Sequence, residues 1–379
     1  MSFSEQERQH MRRALELADQ ARGLAEPNPP VGAVVVREGR AVGEGHTQRF
    51  GGPHAEIMAL RAAGDQARGA AMYVTLEPCA HHGKTPPCAD ALVEAALQRV
   101  VVAVLDPTPK TRGRGVALLR EAGVQVDVGL CREEAVRANA AFFKRAATGR
   151  ALVTAKWAMT ADGKTATRTG SSRWISGTAA RRLVHQVRGV VDCVAVGSRT
   201  AQRDDPLLTC RLAEPRRTAC RLVLCGRGCP AADSRLVTTC GEAPVLLAYP
   251  EAHSPDGLDA LLQRGCEGVP VPAAAGFPRR VAPAGLLDEL GRRDMSNVLL
   301  EGGAEVLGSF FDAGQVDRAM VFVAPKIAGG EGAVTAVGAR GVERMREALP
   351  LLQCAIRTVG PDVLMEGWVR DPLQWLPQD

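Results

Sequence analysis

Residues 5–23 place Met11, Ala14, Leu15 and Ala18 at helical spacing, and Pro27, Asn28, Pro29 and Pro30 then force an extended or turning segment. The stretches VGAVVV (31–36) and AVGEG (41–45), on either side of a Glu38-Gly39 turn, predict a strand pair, and a helix is expected from about His54 through Ala63. The alternation continues with a strand over 71–78, a helix over 88–97, a strand over 99–107, a helix over 115–123, a strand over 124–130 and a closing helix over 131–145. Strands that alternate with helices of about 10 to 15 residues imply crossover units and a sheet covered on both faces.

The small, polar run at 145–151 marks a boundary, giving domains 1–148 and 149–379. A second alternating series follows. It has strands over 152–159, 190–197, 221–226, 244–249, 297–303 and 317–329, and helices over 181–189, 286–293 and 304–314. Residues 266–283, rich in Gly, Pro and Ala, are expected to form loop. No fixed-period repeat relates the halves.

At 379 residues the chain suits two domains, and 46% apolar with 23% charged residues is ordinary globular usage. The longest apolar runs, such as Val100 to Leu105, fall far short of the roughly 20 residues a membrane span needs, so no membrane partner and a cytoplasmic location are expected. The net charge of +5 divides evenly: 19 basic and 17 acidic residues lie in 1–148, and 28 and 25 in the rest. No block of like charge singles out a nucleic-acid face. The 11 cysteines, an odd number in a long chain with no recognisable export signal, point to reduced thiols, a few of them available to a metal.

His54-Ala55-Glu56 at a helix start, Pro78-Cys79 at a strand end and Cys88 at the next helix start form the sharpest chemical signal. One imidazole and two thiolates are the usual protein set for a catalytic zinc that leaves its fourth position to water. Glu56 is not needed as a ligand and is placed to move a proton, the arrangement of zinc deaminases. A closed structural zinc, with His81 or His82 as fourth ligand, is the competing reading, and it leaves Glu56 without a purpose. Cys225 and Cys229 lack a second ligand pair nearby and read as non-metal. Cys79 and Cys88 enclose eight residues, AHHGKTPP, where the generic deaminase encloses two.

In the second domain no complete G-x-G-x-x-G follows a strand. Glu301-Gly302-Gly303 ends a strand and opens a helix, whose free N–H groups suit a phosphate. The stretch 196–211 leaves a strand with Gly197, Thr200, Asp204, Asp205 and Arg211 available to polar ligands, and the two segments together make a candidate cleft.

The motifs MRRALELA, PNPPVGAVVV, GEGH, GGPHAE and LEPCAHHGKTPPC resemble the bifunctional deaminase and reductase family of riboflavin biosynthesis. TAKWAMTADGKTA, GSSRWISG, the DDP segment and the EGG segment follow in that family's order, with TADG where SLDG is common, so the resemblance covers nearly the whole chain. It implies an α/β protein of two domains, a cytidine-deaminase-like three-layer α/β/α domain and a dihydrofolate-reductase-like α/β domain. The first would deaminate a diaminopyrimidine carrying a phosphoribosyl group with Zn2+, using Glu56 with His54, Cys79 and Cys88, and Asn28 would meet the pyrimidine. The second would reduce the ribosyl side chain with NADPH. The resemblance puts Ala158, Trp174, Thr200, Asp204, Gly303, Ala304, Glu305, Val306, Leu307, Gly308 and Ser309 at the cofactor. It puts Ser172, Arg188, Leu208, Arg211 and Glu301 at the substrate, and association of like chains through the reductase domain is expected. Lys156, Asp204 and Glu301 stand as candidates for protonating the sugar oxygen. Against this stand a nucleic-acid or nucleoside zinc deaminase joined to an unrelated α/β domain, which would need base-stacking surface that 4% aromatics scarcely supply, and a closed zinc module on an oligomerisation domain.

Overall fold

The computed structural model describes residues 3–81, 86–226 and 228–377, and the chain separates into two compact units. The first unit comprises 1–148 with 372–379, the second 149–371.

In the first unit, α1 (Glu5–Ala21) leads to β1 (Gly32–Arg37) and β2 (Arg40–His46), followed by α2 (Ala55–Ala63), β3 (Ala71–Val74), α3 (Cys88–Glu94), β4 (Arg99–Val102), α4 (Arg114–Glu121), β5 (Gln125–Val128), α5 (Arg132–Ala138) and α6 (Ala140–Thr148). Among the described residues the strands form one sheet in the order β2-β1-β3-β4-β5, with β1 antiparallel to both neighbours and β3, β4 and β5 parallel. Ser4 starts α1 with a capping box, its hydroxyl accepting the Glu7 N–H while the Glu7 carboxylate accepts the Ser4 N–H. Gly43 and Gly45 of β2 lie against the backbone of α2, where a Cβ would come within 2.3 Å of the Ala59 carbonyl and 2.5 Å of the Ala55 carbonyl. They pair with Val35 and Ala33, so these four share a face, and α1 packs at Gly32 on the opposite one. The sheet is therefore covered on both sides, as the sequence pattern implies.

The closing helix expected over 131–145 is divided at Asn139 into α5 and α6. The buried Asn139 donates from Nδ2 to the Pro30 carbonyl at 2.9 Å, a contact across the unit that helical spacing does not reveal. The expected second domain, 149–379, differs at its far end: the turn Pro372–Trp375 belongs to the first unit, because Trp375 is buried there with the Lys144 ammonium over its ring.

The second unit runs β6 (Leu152–Thr160), β7 (Lys164–Ala166), α7 (Thr178–Arg188), β8 (Cys193–Gly197), α8 (Ser198–Asp204), β9 (Cys220–Leu224), α9 (Arg235–Thr238), β10 (Val245–Pro250), α10 (Leu258–Gln263), β11 (Glu267–Val271), β12 (Ala273–Ala274), β13 (Phe277–Val281), α11 (Pro283–Arg292), β14 (Asn297–Leu300), α12 (Ala304–Asp312), β15 (Arg318–Ala324), β16 (Val334–Thr335), β17 (Leu352–Val359) and β18 (Asp362–Trp368). Its large sheet has the order β11-β10-β9-β8-β14-β6-β15-β18-β17 among the described residues, parallel from β11 to β15 and closed by the antiparallel β18 and β17. Alternate residues of β8 serve the two faces: Cys193 and Ala195 join Leu286, Leu290 and Phe310, and Val194 and Val196 join Leu236, Leu247 and Leu261.

Residues 266–283 are not loop: they supply β11 and the hairpin β12–β13. Val269 and Val271 alternate inward from β11, and Pro270 is tolerated because β11 is an edge strand. No helix among the described residues is long and apolar enough to cross a membrane.

Candidate functional site

In the first unit His54 is the N-cap residue of α2 and Glu56 lies in its first turn, so the close fit of α2 on Gly43 and Gly45 sets where both side chains stand. Cys79 follows β3 and Cys88 opens α3. Cys88 Sγ lies 3.3 Å and Cys79 Sγ 3.7 Å from His54 Nδ1, and the three ligand atoms all fall within 4.8 Å of one another. The Cys88 N–H donates to Cys79 Sγ at 3.3 Å. The hydrogen bond from Cys88 pulls the Cys79 thiol down to about 4, and the same contact with burial keeps the proton on Cys88. Contact with Cys79 raises the pKa of His54. Glu56 is 4% exposed, and burial followed by the Cys79 charge pushes its carboxyl up to about 7.

An imidazole nitrogen and two sulfurs at this spacing form a donor set of the kind zinc takes, and they fit such an ion. His81 is not in the cluster: its Nδ1 faces the Thr111 hydroxyl at 3.4 Å, while His82 lies outside the described residues. Asn28 sits in the turn between α1 and β1, its N–H on the Ala25 carbonyl at 3.0 Å. Sequence reasoning passed over Glu77. Its buried carboxylate accepts the N–H groups of Gly113 (2.9 Å), Gly115 (3.0 Å), Asp106 (3.2 Å) and Val116 (3.2 Å), and so binds loop 106–116 to the segment that ends in Cys79. An acid immediately before Pro-Cys is the only trace of this in the sequence.

The second unit holds a cavity of about 1740 Å³. It opens where β14 returns between β6 and β8, at the carboxyl ends of parallel strands, the usual ligand position in such sheets. Of the residues expected at the cofactor, Ala158, Trp174, Thr200, Asp204, Gly303, Ala304, Glu305, Val306, Leu307 and Ser309 line it, as do Ser172, Arg188, Leu208, Arg211 and Glu301 from the expected substrate set. Gly308 does not. It faces the packed side of α12, where a Cβ would come within 2.1 Å of the Gly338 carbonyl. The lining carries eleven Lys and Arg against five Asp and Glu, which makes the cavity a receptor for anions.

Glu301 is the pivot of that charge. Arg188 grips it with Nε at 2.6 Å and Nη2 at 3.0 Å, and Lys156 Nζ stands 3.5 Å away. Burial alone would raise the Glu301 carboxyl, but Arg188 and then Lys156 outweigh it and hold it at about 2. Arg188 also donates from Nη1 to the Thr209 carbonyl at 3.3 Å, so its guanidinium is occupied by the protein, whereas that of Arg211 has no hydrogen bond or ion pair among the described residues. His185, Arg173, Arg235 and the hairpin residues Phe277, Arg279 and Arg280 also line the cavity, although the sequence did not mark them.

A family description, "Cytidine and deoxycytidylate deaminase zinc-binding region", matches residues 4–104, and "RibD C-terminal domain" matches 151–365. The riboflavin biosynthesis protein RibD of Aquifex aeolicus is 40% identical over 359 residues, covering 95% of this chain and 97% of the relative, and that of Escherichia coli is 37% identical over 373 residues, covering 95% and 98%. A solved structure from Thermotoga maritima, described as a diaminohydroxyphosphoribosylaminopyrimidine deaminase/5-amino-6-(5-phosphoribosylamino)uracil reductase, superimposes with a TM-score of 0.83 at 33% identity, covering 96% of this chain and 98% of that one. Fold and sites together define a two-domain α/β enzyme in which a cytidine-deaminase-like unit with a His/Cys cluster fit for a metal ion is joined to a dihydrofolate-reductase-like unit with a cavity rich in basic residues. The chain belongs to the RibD family, the bifunctional deaminase and reductase of riboflavin biosynthesis.

Proposed function

We propose that the first unit removes the ring amino group of 2,5-diamino-6-(5-phosphoribosylamino)pyrimidin-4(3H)-one as ammonia, and that the second reduces the ribosyl side chain of the resulting uracil to ribityl. The reading rests on the compact His54, Cys79 and Cys88 cluster with the buried Glu56 beside it, in a chain similar over nearly its whole length to riboflavin biosynthesis proteins and to one solved protein of that two-part name.

His54, Cys79 and Cys88 would hold Zn2+, which when bound supplies a Lewis acid that makes a water nucleophilic near neutral pH. Glu56 does the proton work: its carboxylate takes a proton from the attacking water and returns it to the departing nitrogen. A pKa raised toward neutrality suits a group that must accept and then give. Asn28 would orient the pyrimidine from the turn before β1. The cavity of the second unit would hold NADPH, which when bound would supply a hydride for the sugar carbon. The N–H groups at the start of α12, opened by Gly303, suit its phosphates, and Thr200, Asp204, Ala158 and Trp174 lie along the same cavity. Arg211 would take the phosphate of the substrate by a charge-assisted contact, while Arg188 keeps Glu301 ionised and in place. A volume of about 1740 Å³ leaves room for cofactor and substrate side by side, since single-ligand pockets run to roughly 1,000 Å³.

The partner is therefore a small pyrimidine phosphate and not a nucleic acid. Association of like chains through the second unit is part of the reading, because β17 is an edge strand with Ile356 65% exposed. The test supplies the zinc-loaded protein with the diaminopyrimidine phosphate and follows ammonia and NADPH together. Ammonia without NADPH, followed by NADPH consumption once both are present, is expected. NADPH consumption with no ammonia released would overturn the order of the two steps.

A further inference from the structure

The segment Asp204–Arg211 walls the cavity with two non-glycine residues in left-handed backbone, Asp205 (φ 39°) and Leu208 (φ 56°). L-residues adopt that conformation at a cost, so the surroundings must impose it. Arg173 Nη2 donates to the Asp204 carbonyl (2.5 Å), Arg221 Nη1 to the Leu207 carbonyl (3.4 Å) and Arg188 Nη1 to the Thr209 carbonyl (3.3 Å), while the Asp205 carboxylate accepts the Arg235 N–H (2.8 Å). The end of the segment is held differently. The Arg211 N–H donates to Nδ1 of His185, a residue of α7, at 2.8 Å. Because Nδ1 accepts, the ring proton sits on Nε2 and the imidazole is neutral. Burial, then the charges of Arg188 and Arg211, push its pKa down to about 4, which keeps it so.

Arg211 itself lines the cavity beside Arg188 and Arg235, two like charges that disfavour its own, and its guanidinium has no anion among the described residues. Three cations stand round an open volume, and of them only Arg188 has an ion-pair partner among the described residues, so the place suits an anion and the direction of Arg211 decides the fit. We propose that His185 is a positioning residue for the reductase step: by accepting the Arg211 N–H at Nδ1 it fixes the backbone from which Arg211 reaches the phosphate of the substrate. The inference rests on the reading of Arg211 as the phosphate contact. A protonated imidazole could not serve, since its Nδ1 would become a donor facing a donor.

The experiment uses the full-length protein with NADPH and, as substrates, the deaminated phosphoribosylaminouracil and its dephosphorylated riboside. KM and kcat are measured for wild type, Arg211→Ala, His185→Ala, the double variant, His185→Asn and His185→Gln, with NADPH affinity by fluorescence as the check on folding. His185→Ala is expected to raise KM for the phosphorylated substrate about tenfold, with kcat and NADPH affinity nearly unchanged, no comparable rise for the riboside, and no further rise in the double variant. His185→Asn, whose amide oxygen falls where Nδ1 was, should restore KM, and His185→Gln, whose amide falls where Nε2 was, should not. Should the alanine variant fail to fold, the Asn and Gln pair carries the same comparison. Equal losses on both substrates, additive losses in the double variant, or rescue by Gln in place of Asn would overturn the proposal. If Arg211→Ala raises KM and the His185 variants do not, the positioning role falls alone. If Arg211→Ala leaves KM untouched, the phosphate reading falls and takes the proposal with it.

Discussion

Replacing Glu301 with Gln removes one charge from the floor of the reductase cavity and nearly preserves shape. The side chain is 8% exposed, gripped by Arg188 at 2.6 Å, with Lys156 at 3.5 Å. Its carboxyl is held at about 2 against an ordinary 4.5, a net result in which burial works against it and Arg188 and Lys156 prevail. At about 1.4 kcal/mol per pH unit, the ionised form is favoured in the folded unit by about 3 kcal/mol. Removing one partner of a buried pair costs about 3 to 5 kcal/mol, because the remaining cations are left uncompensated, so the two routes agree. Glu301→Gln should therefore destabilise the second unit by about 3 kcal/mol, a large share of the roughly 5 to 15 kcal/mol that holds a domain together. Urea unfolding followed by tryptophan fluorescence reports it, since Trp157, Trp174 and Trp368 all lie in that unit. The pH dependence has a definite sign. A carboxyl whose folded pKa is depressed contributes fully above its unfolded pKa and loses that contribution as pH falls toward the folded value. The gap between wild type and variant should thus stay level from about pH 7 to 5 and shrink by about 1 kcal/mol near pH 3.5. A gap below about 1 kcal/mol at neutral pH, or one that fails to narrow in acid, would refute the electrostatic account.

Glu56→Gln should keep zinc, measured by metal analysis, and lower ammonia release by about 100-fold or more, because all three ligands remain and the proton carrier does not; loss of the metal would make Glu56 a ligand. Cys88→Ser should lower zinc content and deamination together while reduction of pre-deaminated substrate survives, and full zinc occupancy in that variant would send the search for a third ligand elsewhere. Gly303→Val should weaken NADPH binding by about tenfold or more in a fluorescence titration, since even a Cβ there meets Thr200 Oγ1 at 3.0 Å and a larger group blocks the helix start; unchanged affinity would move the phosphates away from α12. Trp375→Ala should destabilise the first unit by about 3 kcal/mol in thermal unfolding, because the ring is buried there, and a loss confined to the second unit would contradict that placement.

Local pattern was enough for the alternating elements, the His/Cys cluster with Glu56 beside it, and the segments that open the second cavity, because each is written within a few residues. Helical spacing marks Met11, Ala14 and Ala18, His-x-Glu falls on one helical turn, and Glu301-Gly302-Gly303 joins a strand to a helix. It failed where a residue's setting is made by distant chain. Val269 and Val271 form a strand only because β10 lies beside them, and the helix break at Asn139 depends on a carbonyl 109 residues earlier. The C-terminal strand β17 escaped for the opposite reason: it is exposed on both faces, so no alternation betrays it. In the second site the segments around 197–211 and 301–309 were legible, whereas the lining from Arg173, His185, Arg235 and the 277–280 hairpin, and the division of labour among the residues, were not. Arg188 and Arg211 look alike in sequence, yet Glu301 stands against one guanidinium and not the other, and His185 becomes a backbone acceptor only once α7 and the 204–211 segment have packed. Residue type and spacing fix which groups are available, whereas the tertiary structure decides which charges meet and which are left open for a ligand.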